Sequence, residues 1–95
     1  MSASVEVINN VAGGRFEIEE GGQLASLRYL QRNGKLYLIH TEVPEALQGR
    51  SYASALARTA LEYAKREHLR VVPVCPFVRA YLRRHAEYAS LVEHE

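Results

Sequence analysis

The fold is decided by residues 35–74, which read KLYLIHTEVPEALQGRSYASALARTALEYAKREHLRVVPV. Lys35–Val43 is a strand-like run rich in large apolar side chains, and Ser51–His68 carries small and apolar residues at helical spacing. Leu69–Val74 is a second short strand, and the proline within it indicates an edge position. A strand, a helix and a strand in this order predict a βαβ unit, whose two strands lie parallel with a right-handed crossover.

The residues before this unit predict an antiparallel meander. Val5–Asn9 and Arg15–Glu19 alternate apolar and polar side chains, which is the period of a half-buried strand. Gln23–Arg32 is a longer strand, joined to Lys35–Val43 by Asn33-Gly34, a dipeptide that favours a type I′ turn. Apolar residues occur on both parities of these two longer strands, as in strands that are covered on both faces, so we expect the two strands to be central in the sheet.

The residues after the unit predict a second helix, Phe77–Arg84, and a tail in which Leu91 and Val92 dock one more turn. The expected architecture is therefore α+β, with a four-strand antiparallel meander, then a βαβ unit that adds a fifth strand, and two helices. Ninety-five residues suffice for one core and not for two, so we expect a single domain over residues 1–95.

Composition and charge exclude several classes of function. Twelve basic against eleven acidic residues give a net charge of +1, which argues against a nucleic-acid binder. The longest apolar run, 71–78, is far short of the roughly 20 residues that span a membrane, and the start has no secretory-signal pattern. With one cysteine, and with His85 and His94 lacking partners at ligand spacing, we expect no metal site. The expected location is cytoplasmic.

Ligands of parallel strand pairs bind outside the carboxyl ends of the strands, which here are His40–Val43 and Val74–Pro76. Between them, Gln48–Ala53 forms the turn that enters the first helix. Backbone N–H groups without helical partners and the helix dipole suit a pyrophosphate at such a turn. The alternative is that Ser51 simply caps the helix and the turn binds nothing.

Two stretches together resemble a known family. The run from His40–Pro44 to Gln48–Leu56 resembles the fourth strand and acyl-CoA pyrophosphate loop of GNAT acetyltransferases, whose loop reads Gln/Arg-x-x-Gly-x-Gly/Ala. Val72–Val78 is similar to the C-terminal pattern of the minimal GNAT-like subfamily, which lacks the first two helices of the superfamily. The pattern continues in Tyr81, Arg84-His85 and Glu87-Tyr88.

The resemblance implies an acyl-CoA cleft between a splayed fourth and fifth strand, with acetyl-CoA as the cofactor. The implied coenzyme-binding residues are Thr41, Val43, Gln48, Gly49, Arg50, Ser51, Tyr52, Ala53 and Arg84. Ser51 stands where the first motif glycine is expected, so a loop that needs positive φ there would be strained. Arg84 is one of several arginines, with Arg79, Arg83 and Arg50, that could contact the 3′-phosphate. The alternative for the helical ones is a solvated helix face.

The implied acid–base chemistry falls on the end of the fourth strand. Glu42 is the preferred general base, directly or through water, and His40 lies two residues earlier on the same face as a second base or relay. The alternatives are a solvated carboxylate for Glu42 and a partly buried, hydrogen-bonded histidine for His40. Tyr81 and Tyr88 are candidate acids towards the coenzyme thiolate, or packing residues.

Cys75 follows the fifth strand and has three interpretations that the sequence leaves open. It is a small core residue, it lines the acyl pocket without reacting, or it accepts the acyl group covalently. The covalent interpretation needs a lowered thiol pKa, which the start of the following helix and His40 or His85 could supply.

The leading hypothesis is an acetyl-CoA-dependent N-acetyltransferase that moves an acetyl group to a primary amine by direct attack in a ternary complex. The acceptor is a small molecule or a protein lysine. Because so short a chain has little material for an acceptor pocket, a partner chain could complete it. The alternative is a non-catalytic acyl-CoA-binding or sensing module.

Overall fold

The computed structural model describes residues 6–93 and arranges five strands in one sheet. In chain order, the elements are β1 (Ile8–Asn10), β2 (Arg15–Glu20), β3 (Gln23–Arg32), β4 (Lys35–Glu42), α1 (Tyr52–Arg66), β5 (Arg70–Pro73) and α2 (Pro76–Arg84). Two 3-10 segments, Glu45–Leu47 and Ala86–Leu91, precede α1 and follow α2. Val5, the first residue of the expected first strand, lies outside the described residues.

The sheet order is β1-β2-β3-β4-β5, antiparallel from β1 to β4 and parallel between β4 and β5. This confirms the α+β class, the meander and the parallel βαβ unit. Asn33 and Gly34 both have positive φ, 54° and 74°, as a type I′ turn requires, and the turn fixes the register of β3 against β4. β5 lies at the edge of the sheet and ends at Pro73, which has no N–H for a further ladder bond.

One face of the sheet packs against α1. Leu56, Ala57, Ala60, Leu61 and Ala64 are fully buried on one side of that helix, because their spacing brings them to one stripe. The small alanine side chains let the helix lie close to the sheet. The sheet contributes buried residues to the same core at Phe16, Ile18, Ala25, Leu27, Leu36, Leu38 and Val71.

β3 and β4 are interior strands of the sheet, as expected, but within the described residues they are not covered on both faces. On the face away from α1, Leu24 is 38% exposed and Leu30 44%, and Ile39 of β4 is 41% exposed. Apolar residues on both parities therefore do not reflect a second helical layer here. Within the described residues, 6–93, these apolar side chains lie on an open face of the sheet.

Helix α1 ends in a Schellman arrangement. His68 takes φ 58°, its N–H bonds to the Lys65 carbonyl at 3.4 Å, and the Leu69 N–H bonds to the Ala64 carbonyl at 2.8 Å. The turn delivers Leu69 into the core and starts β5 beside β4. A histidine occupies the left-handed position that glycine usually takes.

The tail closes the edge of the sheet. After the 3-10 segment Ala86–Leu91, Val92 forms a parallel bridge with Val71, and the Glu93 N–H bonds to the Val71 carbonyl at 2.8 Å. Arg70 donates to the carbonyls of Ser90 and Val92, at 2.8 and 2.9 Å. The expected last turn is present, and the tail also pairs with β5.

Candidate active site

β4 and β5 part at their carboxyl ends. The Leu38 carbonyl accepts hydrogen bonds from the N–H groups of Val74, at 3.0 Å, and Cys75, at 2.8 Å. Beyond Leu38, β4 continues for four residues, 39–42, that have no partner in β5. Alternate backbone N–H and C=O groups of these residues therefore face an open gap, as at a sheet edge.

A bulge in β4 sets which side chains reach each side of the gap. Tyr29 pairs with Leu38 and Arg28 with His40, so Ile39 has no partner in β3. The extra residue shifts the alternation, and Thr41 rather than His40 shares the core face with Leu38. Thr41 is opposite the buried Leu27.

Thr41 and Cys75 contact each other across the gap, on the face of the sheet that packs against α1. The Thr41 Oγ1 and the Cys75 Sγ are 3.2 Å apart, and Cys75 is only 2% exposed, at the N-cap of α2. Burial raises the pKa of the Cys75 thiol. Hydrogen bonding from the Thr41 hydroxyl and backbone amides at 41, 77 and 78 outweighs it, so the pKa is lowered overall. Neither His40 nor His85 contributes, contrary to the expectation from sequence.

Glu42 and His40 lie on the other side of β4. Glu42 pairs with Ser26 and His40 with Arg28, so both side chains share the open face of the sheet, as expected. Both are exposed, and the interpretation of His40 as a partly buried histidine is therefore wrong. The bulge brings these two residues to the same strand end as Cys75 but to the opposite face.

The turn before α1 presents unused amide groups. Within residues 6–93, no N–H group from 49 to 54 donates a hydrogen bond, whereas the Ala55 N–H bonds to the Ser51 carbonyl. Gly49 has φ 83° and Ser51 has φ 63°, so the serine adopts the left-handed conformation expected to be strained. Ser51 occupies the N-cap position, but its side chain makes no capping hydrogen bond.

The side chains of this turn bind other parts of the chain. The Gln48 Nε2 donates to the Val43 carbonyl at 3.1 Å, which ties the turn to the end of β4. Arg50 and the Tyr52 hydroxyl both donate to the carboxylate of Glu20 at the end of β2. The hydrogen bond from Tyr52, with the charge of Arg50, lowers the pKa of Glu20. Sequence reasoning missed Glu20, because its partners are 30 and 32 residues away and no local pattern marks them.

The C-terminal candidates lie along α2 and the tail. The Tyr81 ring stacks on His85 with ring centroids 3.9 Å apart, and burial raises the pKa of Tyr81. The Tyr88 hydroxyl donates to the Glu62 carboxylate at 2.5 Å, and burial raises the pKa of Tyr88 to about 12. Arg84 is exposed in the last turn of α2. Both tyrosines are therefore protonated at neutral pH, and their raised pKa values make them weaker acids than an ordinary tyrosine.

The described residues contain no group of three or more His, Cys, Asp or Glu side chains that could hold a metal ion. None of the helices described is long and apolar enough to cross a membrane.

Comparison with known proteins gives the family. The model of the GCN5-related N-acetyltransferases matches residues 15–91, which include the gap, the turn before α1 and α2. The chain belongs to this family. The fold agrees, because a GCN5-like protein from Staphylococcus aureus, solved by NMR, superposes with a TM-score of 0.73 at 22% identity. That match covers 99% of this chain and 93% of the other.

The curated relatives match a smaller part of this chain. Protein NATD1 of Danio rerio is 34% identical over 59 residues, which are 60% of this chain and 54% of the relative. Protein NATD1 of Homo sapiens is 39% identical over 46 residues, covering 48% and 41%. The matched stretch thus spans about half the length of these relatives or less. Family and fold support an N-acetyltransferase.

Proposed function

We propose that this chain is an acetyl-CoA-dependent N-acetyltransferase that acts on a primary amine, either a small molecule or a protein lysine. We also propose that residues 1–95 act as one acyl-CoA-binding domain in the cytoplasm. The observation that carries the proposal is the gap at residues 39–42 of β4, which opens beside a turn with unused amide groups. Family membership supports the same chemistry.

The gap and the turn fit the two ends of the donor. The open backbone edge near Thr41 and Val43 offers hydrogen bonds to the two amides of the pantetheine arm. The N–H groups of residues 49–53, at the positive end of α1, suit the pyrophosphate. Gln48 holds the turn to the strand end through Val43, and Arg50 and Arg84 are the proposed contacts of the phosphates.

Acetyl-CoA supplies a thioester, and its acetyl carbon forms a bond to the amine nitrogen as the bond to sulfur breaks. Glu42 accepts the proton of the acceptor's ammonium group, directly or through water, with His40 as relay on the same face. Both residues are exposed on the open face, from which an amine can approach. Tyr81 is the proposed proton donor to the thiolate, as the resemblance to the family implies; its hydroxyl is protonated at neutral pH, although burial raises its pKa and makes it a weaker acid.

Cys75 is proposed to line the acyl site rather than to carry the acetyl group. The residue is 2% exposed, and its sulfur lies against Thr41 on the face opposite Glu42, so the base cannot activate it directly. Its lowered pKa leaves the covalent route as the competing one. Mass spectrometry of the protein after acetyl-CoA without acceptor distinguishes them, because only the covalent route leaves a stable acetyl adduct that Cys75→Ala abolishes.

The alternative function is a non-catalytic acyl-CoA-binding or sensing module. The observation that favours it is the state of the turn, where Ser51 is strained and Arg50 and Tyr52 are engaged by Glu20. A site with these features could bind the coenzyme without supporting turnover.

The test is amine-dependent release of the coenzyme thiol, measured for the unmodified chain and for Glu42→Gln. We expect Glu42→Gln to lower kcat by about 10²- to 10⁴-fold while binding of acetyl-CoA is retained. Glu45→Gln is the matched control, because Glu45 is a nearby exposed carboxylate in the following 3-10 turn. Binding without turnover by any amine would support the sensing module, and equal turnover in Glu42→Gln would contradict the assigned base.

A further inference from the structure

A cavity of about 600 Å³ lies beside the gap, between the edge of β5, helix α2 and the tail. Its volume is in the range of small-molecule sites. One side of the cavity is formed by Tyr37, Val72 and Val74. Further apolar surface comes from Leu82 of α2 and Val92 of the tail, and Arg83 also lines the cavity. None of these residues belongs to the proposed coenzyme site.

The apolar side of the cavity continues the open face of the sheet. Leu30 of β3 is opposite Tyr37 of β4, which is opposite Val72 of β5, so the three form one row across the strands. Val74, two residues after Val72, is 47% exposed. α1 does not cover this row, and a ligand can reach it through Leu30 and Tyr37, because Val72 is only 8% exposed.

The two arginines of the cavity have different roles. Arg79 donates to the carbonyls of Pro73, at 3.2 Å, and Val74, at 2.6 Å, and so satisfies two carbonyls at the end of β5. Arg83 makes no hydrogen bond or ion pair with any residue in the range 6–93. Glu93, the acidic residue of the lining, is already paired with Lys35 and Arg70. The cavity therefore has an uncommitted positive charge.

The cavity and the gap share residues at their border. Val74 lines the cavity, and its N–H bonds to the Leu38 carbonyl, the acceptor at which the two strands part. Tyr37 lines the cavity, and His40 follows it by three residues on β4. At about 3.3 Å per residue, an acceptor on the Tyr37–Val72 row reaches the gap within roughly 7–10 Å.

We propose that this cavity is the acceptor subsite, and that it selects amines that carry an apolar body and a carboxylate. An apolar dipeptide with a free N-terminus and a free C-terminus has this chemistry. Its carboxylate pairs with Arg83, its side chains cover the Tyr37–Val72 row, and its amine points to the gap. That the bound amine is acetylated rests on the proposed function. Binding in the cavity does not depend on turnover.

The test is an NMR titration of the ¹⁵N-labelled chain with the dipeptide Leu-Phe and with its C-terminal amide, which lacks the carboxylate. We expect both to shift the amide signals of Val72, Val74 and Val92, and the acid to bind about threefold to fivefold more tightly. Arg83→Gln is expected to abolish the difference between the two ligands. Lys65→Gln, the matched loss of a distant exposed charge on α1, is expected to preserve it.

A second pair of variants tests the cavity itself. Ala89 is exposed and lines the cavity, so Ala89→Phe fills part of it, and Ala86→Phe places the same ring on the same 3-10 segment outside the lining. We expect Ala89→Phe to weaken both ligands at least tenfold and Ala86→Phe to leave them unchanged. Absence of dipeptide binding, equal affinity for acid and amide, or shifts outside the cavity would overturn the proposal. Acetyl-CoA binding, followed in the same samples, reports separately on the proposed function.

Discussion

Replacing Ser51 by glycine is expected to stabilise the protein. Ser51 has φ 63° and ψ 26°, is exposed, and makes no side-chain hydrogen bond to α1, so the substitution removes no capping interaction. The left-handed conformation costs a residue with a Cβ about 1–2 kcal/mol. Glycine is free of that cost, but its greater freedom in the unfolded chain costs about 0.5–1 kcal/mol. The net gain in the free energy of unfolding is therefore about 0.5–1 kcal/mol.

The assay is thermal and denaturant unfolding of purified Ser51→Gly beside the unmodified chain. For a domain of this size, the expected gain raises Tm by about 2–8 °C. Ser54→Gly is the matched control, because Ser54 lies within α1, where glycine is expected to lower the free energy of unfolding by about 0.5 kcal/mol. If Ser51→Gly leaves Tm unchanged or lowers it as Ser54→Gly does, the left-handed conformation at this position is refuted.

Three further predictions use the same structure. His68→Gly should raise the free energy of unfolding by about 0.5–1 kcal/mol, because His68 holds the left-handed position of the Schellman turn. A free energy of unfolding that does not increase would contradict that geometry. Glu20→Gln should tighten acetyl-CoA about twofold to fivefold at low salt by calorimetry, because it removes a negative charge beside Arg50, and the exposed Glu19→Gln should not. The pKa of Tyr88 is raised from 10.0 to about 12, so its contribution to stability is present below pH 10 and is lost as the pH rises to 12. Tyr88→Phe should therefore flatten that alkaline loss in pH-dependent unfolding, and an unchanged slope would rule out this residue as its source.

The parts of the fold that local sequence specifies were predictable. Asn33-Gly34 sets its turn through the backbone preferences of two residues, and the alanine-rich stripe of α1 is a repeat within one helix. The end of β5 follows from the missing N–H of Pro73. Each of these features depends on residues a few positions apart, which is the range over which composition and period carry information.

The side-chain arrangement of the site was less predictable. Simple alternation from Leu38 places His40 on the core face, but the unpaired Ile39 reverses this and brings Thr41 to Cys75 instead. Nothing in the run from Leu38 to Glu42 marks the bulge, because it arises from the pairing of β4 with β3. The same limit applies to Glu20, whose partners come from a distant part of the chain.

The open face of the sheet shows how one pattern can have two causes. Leu24, Leu30 and Ile39 favour an interpretation with a second covering layer, yet they are exposed in the part of the chain that the structure describes. Side chains on such a face are available to a ligand or to a partner. In the proposed acceptor subsite, the row from Leu30 through Tyr37 serves the first of these purposes.

Thermal unfolding with acetyl-CoA tests the placement of the donor most directly, when it is measured for the unmodified chain and for Ala53→Glu. A carboxylate in the first turn of α1 favours the helix but repels a pyrophosphate at its amide groups, so the variant folds and loses the ligand. At 100 times its dissociation constant, acetyl-CoA adds about 2.7 kcal/mol, which raises Tm by roughly 10–20 °C. We predict this rise for the unmodified chain and for Ala86→Glu, and none for Ala53→Glu. No rise at millimolar acetyl-CoA, or an equal rise in Ala53→Glu, would contradict the coenzyme site at the gap and turn.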